Sequence, residues 1–157
     1  MKKIVFTHSY FMRLDPKQWK TMQPYPPLAT LYAASLMREN GYSVSLFDTM
    51  FLETSEEIIP ALEKEKPSFV VVYDDGFNYL TKMCLTNMRE AAFRMIQLSK
   101  ENGATVVVSS SDAADHYENY LAQGADYVII GEAEETLLEL INAVDQNDAE
   151  KISAIKG

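Results

Sequence analysis

Five short apolar runs recur along the chain, at Lys3–Thr7, Ser43–Phe47, Ser68–Tyr73, Thr105–Val108 and Asp126–Ile130. Each is too short for a helix and is bounded by polar residues or glycine, so each reads as a strand. Near-continuous hydrophobicity, as in Phe69-Val70-Val71-Val72, suits strands covered on both faces, the pattern of a parallel sheet between helices. Amphipathic stretches separate them. Pro27–Asn40 opens on a proline suited to a first helical turn and stops at Gly41, a C-terminal cap. Ser55–Lys64 predicts a helix with Ser55 as N-cap and Pro60 as a residue that shortens or bends it. In Lys82–Asn102, Cys84, Met88, Ala91, Met95 and Leu98 repeat at helical spacing until Gly103. Asp115–Ala122 and Ala133–Val144 complete the set. Strict strand–helix alternation implies right-handed crossovers and a three-layer, doubly wound α/β fold; with five strands, the commonest order is the flavodoxin-like 2-1-3-4-5.

At 157 residues and 47% apolar content the chain can bury one domain's core. Fourteen basic against 23 acidic residues give a formal charge of −9, which disfavours phosphate backbones and anionic lipid surfaces as partners. Cys84 is the sole cysteine, so no internal disulfide forms and no cysteine set for zinc or iron–sulfur exists. The start of the chain turns polar after Ile4-Val5-Phe6, too few apolar residues for a secretory signal. A cytoplasmic location is expected. After Val144 the sequence becomes polar, then ends shortly past Ile152–Ile155.

In a sheet of this kind ligands bind outside the carboxyl ends of the strands, where the strand order reverses. Five connections therefore matter: His8–Pro26, Asp48–Thr54, Asp74–Thr81, Ser109–Ala114 and Gly131–Glu135. The first is long, and its Tyr10, Phe11, Trp19 and Tyr25 suit either a structured flap over a flat ligand or partner, or a wrap around the sheet edge. No glycine-rich phosphate cradle follows the first strand and no P-loop occurs, which sets aside dinucleotide and P-loop nucleotide binding. A receiver domain wants acids after the first strand and a lysine after the fifth, where Thr7-His8 and Gly131 stand. Asp74-Asp75 at the end of the third strand either serve a ligand or form the turn into the next helix. Ser109-Ser110-Ser111 either offer hydroxyls and N–H groups to an anionic tail or belong to a helix-capping loop. Gly131-Glu132 places a small residue where a ligand can approach the backbone, and the following acids also suit a helix N-terminus. His8 and His116 are isolated in sequence and read as structural, and the methionine stripe reads as core. No metal site and no catalytic residue are expected.

Several of these segments together resemble the N-terminal cobalamin-binding domain of cobalamin-dependent radical SAM proteins. Pro26-Pro27-Leu28-Ala29 is similar to that family's Pro-Pro-Leu-Gly, Gly41–Asp48 to its second strand ending in Asp, and Gly131-Glu132-Ala133-Glu134-Glu135-Thr136-Leu137 to its G-E-x-E-x-T-L. Asp74–Leu85 is similar to one of its subgroups. The resemblance spans nearly the whole chain and implies cobalamin bound by Pro27, Leu28, Asp48, Asp74, Asn78, Ser109, Ser110, Ser111, Gly131 and Glu132. Better-known cobalamin carriers put D-x-H-x-x-G in the first loop. Here Phe6-Thr7-His8-Ser9-Tyr10-Phe11 supplies His8 without that Asp or Gly, so no histidine ligand to cobalt is expected. Serines replace the family's Gly-Gly-Pro after the fourth strand. The resemblance further implies a non-catalytic module, residues 1–145, with 146–157 beginning a linker to a radical SAM core in the same polypeptide. That core would carry a [4Fe–4S] cluster and S-adenosylmethionine and act as a methyltransferase-like enzyme. A docking module without cobalamin, or a flavodoxin- or receiver-like domain, is the alternative.

Overall fold

The computed structural model describes residues 2–74 and 85–156. The five apolar runs become β1 (Lys3–Thr7), β2 (Ser43–Phe47), β3 (Phe69–Tyr73), β4 (Thr105–Ser109) and β5 (Tyr127–Ile129), all parallel, in the expected order β2-β1-β3-β4-β5. Strand β5 is shorter than expected. Asp126 still donates its N–H to Val106, but its carboxylate turns to the Val106 N–H and to Lys100.

Side chains alternate across the pleat, so each strand feeds two cores. Val5, Val70, Val72, Val106 and Val108 face α3 (Ile59–Glu65), α4 (Leu85–Glu101) and α6 (Tyr117–Ala122) through Leu62, Ala92, Met95, Ile96 and Tyr120. Ile4, Phe6, Phe69, Val71, Tyr73, Val107 and Ile129 face α2 (Leu28–Glu39) and α7 (Glu134–Asp145). Ile152 and Ile155, in and just after α8 (Ala149–Ala154), pack against the second core. Among the described residues no helix is long and apolar enough to cross a membrane.

Local chemistry explains where the helices depart from the sequence pattern. Thr54, not Ser55, precedes the helical segment, with Glu57 accepting the N–H groups of Glu53 and Thr54 at 2.7 and 3.0 Å. The segment runs as a 3-10 turn, Ser55–Ile58, before α3 starts, and Pro60 falls in the first turn of α3, where its missing N–H is not required. The helix expected over Asp115–Ala122 begins two residues later, as α6, and a short α5 (Ser111–Asp115) precedes it within the expected connection, the two broken at His116. The break lets the Tyr120 hydroxyl reach Asp112 at 2.8 Å. A straight helix would set residues eight apart about 12 Å from each other along its axis.

The long first connection is structured. A 3-10 turn, Met12–Leu14, leads into α1 (Pro16–Thr21), whose N-cap Asp15 accepts from the N–H groups of Lys17 and Gln18. Tyr10 and Met12 bury against Met50 from the β2 connection and Met88 of α4, with Trp19 and Tyr25 alongside. This third apolar cluster roofs the β1–β2 side of the sheet's carboxyl end.

Candidate functional site

Two gaps at the carboxyl end of the sheet, β2–β1 and β1–β3, are bridged by polar side-chain contacts, and strand register dictates which residues meet. Thr7 of β1 lies opposite Phe47 of β2, so the next residues, His8 and Asp48, are neighbours. His8 Nε2 stands 2.8 Å from Asp48 Oδ1, and His8 Nδ1 accepts the Tyr10 N–H at 3.3 Å. With Nδ1 accepting, the ring proton is on Nε2 and is donated to Asp48. Thr49 Oγ1 lies 3.2 Å from Nδ1 and donates to the His8 carbonyl at 2.9 Å. His8 is 2% exposed and both of its ring nitrogens are engaged. The hydrogen bond from His8 outweighs partial burial and, with the Met50 N–H, holds the Asp48 carboxyl below the usual carboxylate range.

The β1–β3 gap is where the strand order reverses. Thr7 pairs with Val72, which brings Ser9 to Asp74. Asp74 accepts the Ser9 N–H on Oδ1 at 2.5 Å and the Ser9 hydroxyl on Oδ2 at 2.8 Å. Burial pushes its carboxyl up against these two bonds. One position earlier, the Tyr73 carbonyl accepts from the buried Thr30 of α2 at 2.6 Å, and the Tyr73 hydroxyl donates to Glu134 of α7 at 2.9 Å. Tyr73 thereby ties both helices of one face to the sheet.

Past β4, Ser109 is buried opposite Tyr73. Ser110 caps α5 by accepting the Ala113 N–H at 2.8 Å, in an extended conformation that needs no glycine, and Ser111 is exposed. Asp112, the next residue, accepts two bonds from Arg89 of α4, at 2.6 and 2.5 Å, besides that from Tyr120. Burial raises its carboxyl, but Arg89 and Tyr120 prevail and hold it below the usual range. The Tyr120 hydroxyl is pushed far up by burial and by the charges of Asp74 and Asp112. After β5, Gly131 has φ +96°, and a Cβ added there would meet nothing within 4 Å.

Pro27, Asp48, Asp74, Ser110, Gly131 and Glu132 lie on connections at this one end, and Leu28, Ser109 and Ser111 on the element termini that border them. Asn78 and Asp75 lie outside the described residues. Among the named candidates Leu28 is 67% exposed, and it shares the rim with Ile130 at 49% and Phe51 at 58%. Asp48, Asp74 and Ser110 are instead committed to internal bonds. Sequence reading missed the His8–Asp48 pair and the roles of Ser9, Thr30 and Tyr73. The signal was register: once β1 is placed between β2 and β3, the residues just past each strand must face one another. Among the described residues, no group of three or more His, Cys, Asp and Glu side chains is placed to hold a metal ion.

Known structures share this fold. The cobalamin-dependent S-adenosylmethionine radical enzyme OxsB, with aqua-cobalamin and S-adenosylmethionine bound, superposes with a TM-score of 0.64 at 18% identity, over 93% of this chain and 19% of OxsB. Its form with aqua-cobalamin alone gives 0.65 at 19% identity. This chain spans 19% of the OxsB chain's length. A DNA-binding response regulator of the LuxR family from Staphylococcus aureus gives 0.55 at 11% identity, over 92% of this chain and 99% of that one. At such identities the likeness shows the fold. No curated protein matches the sequence. The family model for the B12 binding domain matches residues 20–141, from α1 through β2 to β5 and into α7, and the chain therefore belongs to the B12 binding domain family.

Proposed function

We propose that the chain binds cobalamin over the carboxyl-end rim, with no histidine on cobalt, and presents it to a radical SAM core in the same polypeptide. The observation that carries the reading is the rim beneath the family match. Leu28 and Ile130 are exposed at this end, and Gly131, next to Ile130, has open space over its backbone, a surface that suits a flat, largely apolar ring with a polar fringe. Leu28 and Ile130 would pack on the corrin. The Gly131 backbone, Glu132 and the hydroxyl of Ser111 would meet its amides and tail. The bound corrinoid would supply methyl-carrying or electron-relaying chemistry to the core.

This chain's own residues hold the platform still. Ser9 clamps Asp74 across the switch point, and Tyr73 fixes the start of α7 through Glu134. His8 reaches a metal only by giving up its bond to Asp48 through Nε2 or that from Tyr10 through Nδ1, which supports a cofactor without protein imidazole. No residue here is assigned a catalytic role. The [4Fe–4S] cluster and S-adenosylmethionine belong to the proposed core, since Cys84 alone cannot ligate a cluster. The charge of −9 argues against nucleic acid and anionic membranes as partners, and a cytoplasmic setting fits a lone cysteine.

Titration with hydroxocobalamin, followed by desalting, cobalt analysis and a visible spectrum, tests the proposal. Near-stoichiometric cobalt with no imidazole coordination is the expected result. A chain that retains no cobalt, alone and with its core, is a docking module on this fold, and the proposal falls.

A further inference from the structure

We infer that the free edge of β2 and the outward stripe of α2 form an interface between two copies of this chain, related by a two-fold axis that joins their sheets edge to edge. The two edges of the sheet differ. At the β5 edge the strand has three residues, and Asp126, just before it, is ion-paired to Lys100 at 2.8 Å. Short strands and charges are how proteins blunt an open edge. Strand β2 has five residues, Ser43-Val44-Ser45-Leu46-Phe47, with no charge and no proline, and among the described residues it pairs only with β1.

Its hydrogen-bonding direction follows from the ladder. The Ser43 N–H donates to the Lys2 carbonyl, so by alternation Ser43, Ser45 and Phe47 face β1. The N–H and C=O groups of Val44 and Leu46 then point away from the sheet. These four groups are open to pairing with a further strand. A second, independent feature lies directly above them. Leu31, Tyr32 and Ser35 occupy one stripe of α2, and Leu31 and Tyr32 are 39% and 68% exposed. Between this helix and the strand runs a groove of about 350 Å³, lined by Leu31, Ala34, Ser35, Arg38, Val44 and Leu46.

An element that complements both features offers an open strand edge with an apolar helix stripe beside it. Strand β2 of a second copy offers both. Antiparallel pairing centred on Ser45 sets Val44 opposite Leu46 of the other copy, satisfies all four outward groups on each side, and brings the two α2 stripes together. Charge permits the approach. The interface carries Arg38 and Glu39 on α2 and nothing charged on β2, on a chain whose net charge is −9. Asp48, just past β2, meets Tyr42 of the other copy in this register rather than a like charge. About ten residues contribute on each side, against the 20–30 of a standard interface. The association is thus expected to be reversible and micromolar.

Sedimentation velocity over about 5–300 μM should show a monomer–dimer equilibrium. Leu46→Lys, at a 38% exposed position, should weaken it at least tenfold with an unchanged circular dichroism spectrum, and Leu31→Glu should do likewise from the helix side. Register is read by cysteine cross-linking in a Cys84→Ser background. Cysteine at Ser45 faces its own copy across the axis at a Cα separation of about 4.5 Å, within disulfide range. Ser43→Cys faces Phe47 and should stay reduced. A chain that remains monomeric throughout with no Ser45→Cys cross-link overturns the inference. So does a dimer indifferent to Leu46→Lys, or one that cross-links equally through Ser43→Cys.

Discussion

Replacing Asp112 with Asn should cost about 3 kcal/mol of folding stability at neutral pH, and the structure fixes both the size and the pH dependence. Asp112 is nearly buried and accepts three hydrogen bonds, two from Arg89 and one from Tyr120. Breaking a buried ion pair from one side costs about 3–5 kcal/mol because a charge is left unpaired. Arg89 keeps 23% of its side chain in contact with solvent, so it recovers some hydration and the lower end applies. Asn retains an acceptor for Tyr120, which is buried and otherwise loses its partner. The folded-state pKa of Asp112 is depressed. Its contribution is therefore full above the unfolded carboxylate value of about 3.9 and disappears as pH falls through the lower folded value. Urea unfolding of the wild type and the variant at pH 7 should differ by about 3 kcal/mol, equivalent to about 6–12 °C in Tm for a chain of this size. Near pH 3 the difference should shrink. A loss under 1 kcal/mol, or one of equal size at both pH values, would refute the reasoning.

The other polar ties give smaller, distinguishable effects. Asp48→Ala strands the buried His8 Nε2–H and should cost about 2 kcal/mol in urea unfolding; since the Asp48 pKa is also lowered, that cost too should fade below the carboxylate range, and nitrogen NMR of the wild type should show the Nε2-protonated tautomer. Tyr73→Phe removes one hydrogen bond to a half-buried Glu134 and should cost about 1 kcal/mol, read by thermal melting, with faster hydrogen exchange confined to the first turn of α7. Gly131→Ala meets no neighbouring atom, so its cost should be backbone strain alone, about 1–2 kcal/mol, and weakened hydroxocobalamin retention beyond what that stability loss explains would place the ligand over this residue.

Sheet and strand order were legible in the sequence because the strands are dominated by β-branched residues that no helical pattern accommodates, and because alternation with helices leaves few topologies. Helix boundaries were legible where a local rule decides them, as at Gly41 and Gly103. They failed where a distant partner decides. The α5–α6 break depends on Tyr120 reaching back to Asp112, and no propensity encodes that. The rim was legible as a place but not as a network. Every candidate within the described residues does lie at the carboxyl end, because topology alone sends loops there. Yet Asp48 and Asp74 turned out to be engaged with His8 and Ser9, 40 and 65 positions away in sequence, contacts that exist only once strands are in register. His8, isolated as a sequence motif, acquires its orienting carboxylate from a neighbouring strand.

These ties fall on different gaps of one edge, and that distribution bears on what the rim can do. His8–Asp48 closes β1 to β2, Ser9–Asp74 closes β1 to β3, Tyr73 joins β3 to α2 and α7, and Asp112 joins the β4 connection to α4 and α6. The opposite end of the sheet has fewer such ties, Asp126 on the Val106 N–H and Tyr42 on Asn142, beside exposed pairs such as Lys3 with Glu65, which contribute little. Polar groups held at a sheet's open end cost desolvation that a purely apolar packing would avoid. Their concentration there is accounted for if the end must keep one shape while its apolar residues, Leu28, Phe51 and Ile130, stay exposed. A surface already ordered in this way loses little further entropy when a large rigid ring settles on it, so affinity can come from modest contacts. The same logic separates the two exposed apolar regions of the molecule. The rim's is braced by polar ties at β2, β1, β3 and the β4 connection, as a ligand platform requires, whereas the stripe on α2 is backed by a bare strand edge, as pairing with another sheet requires.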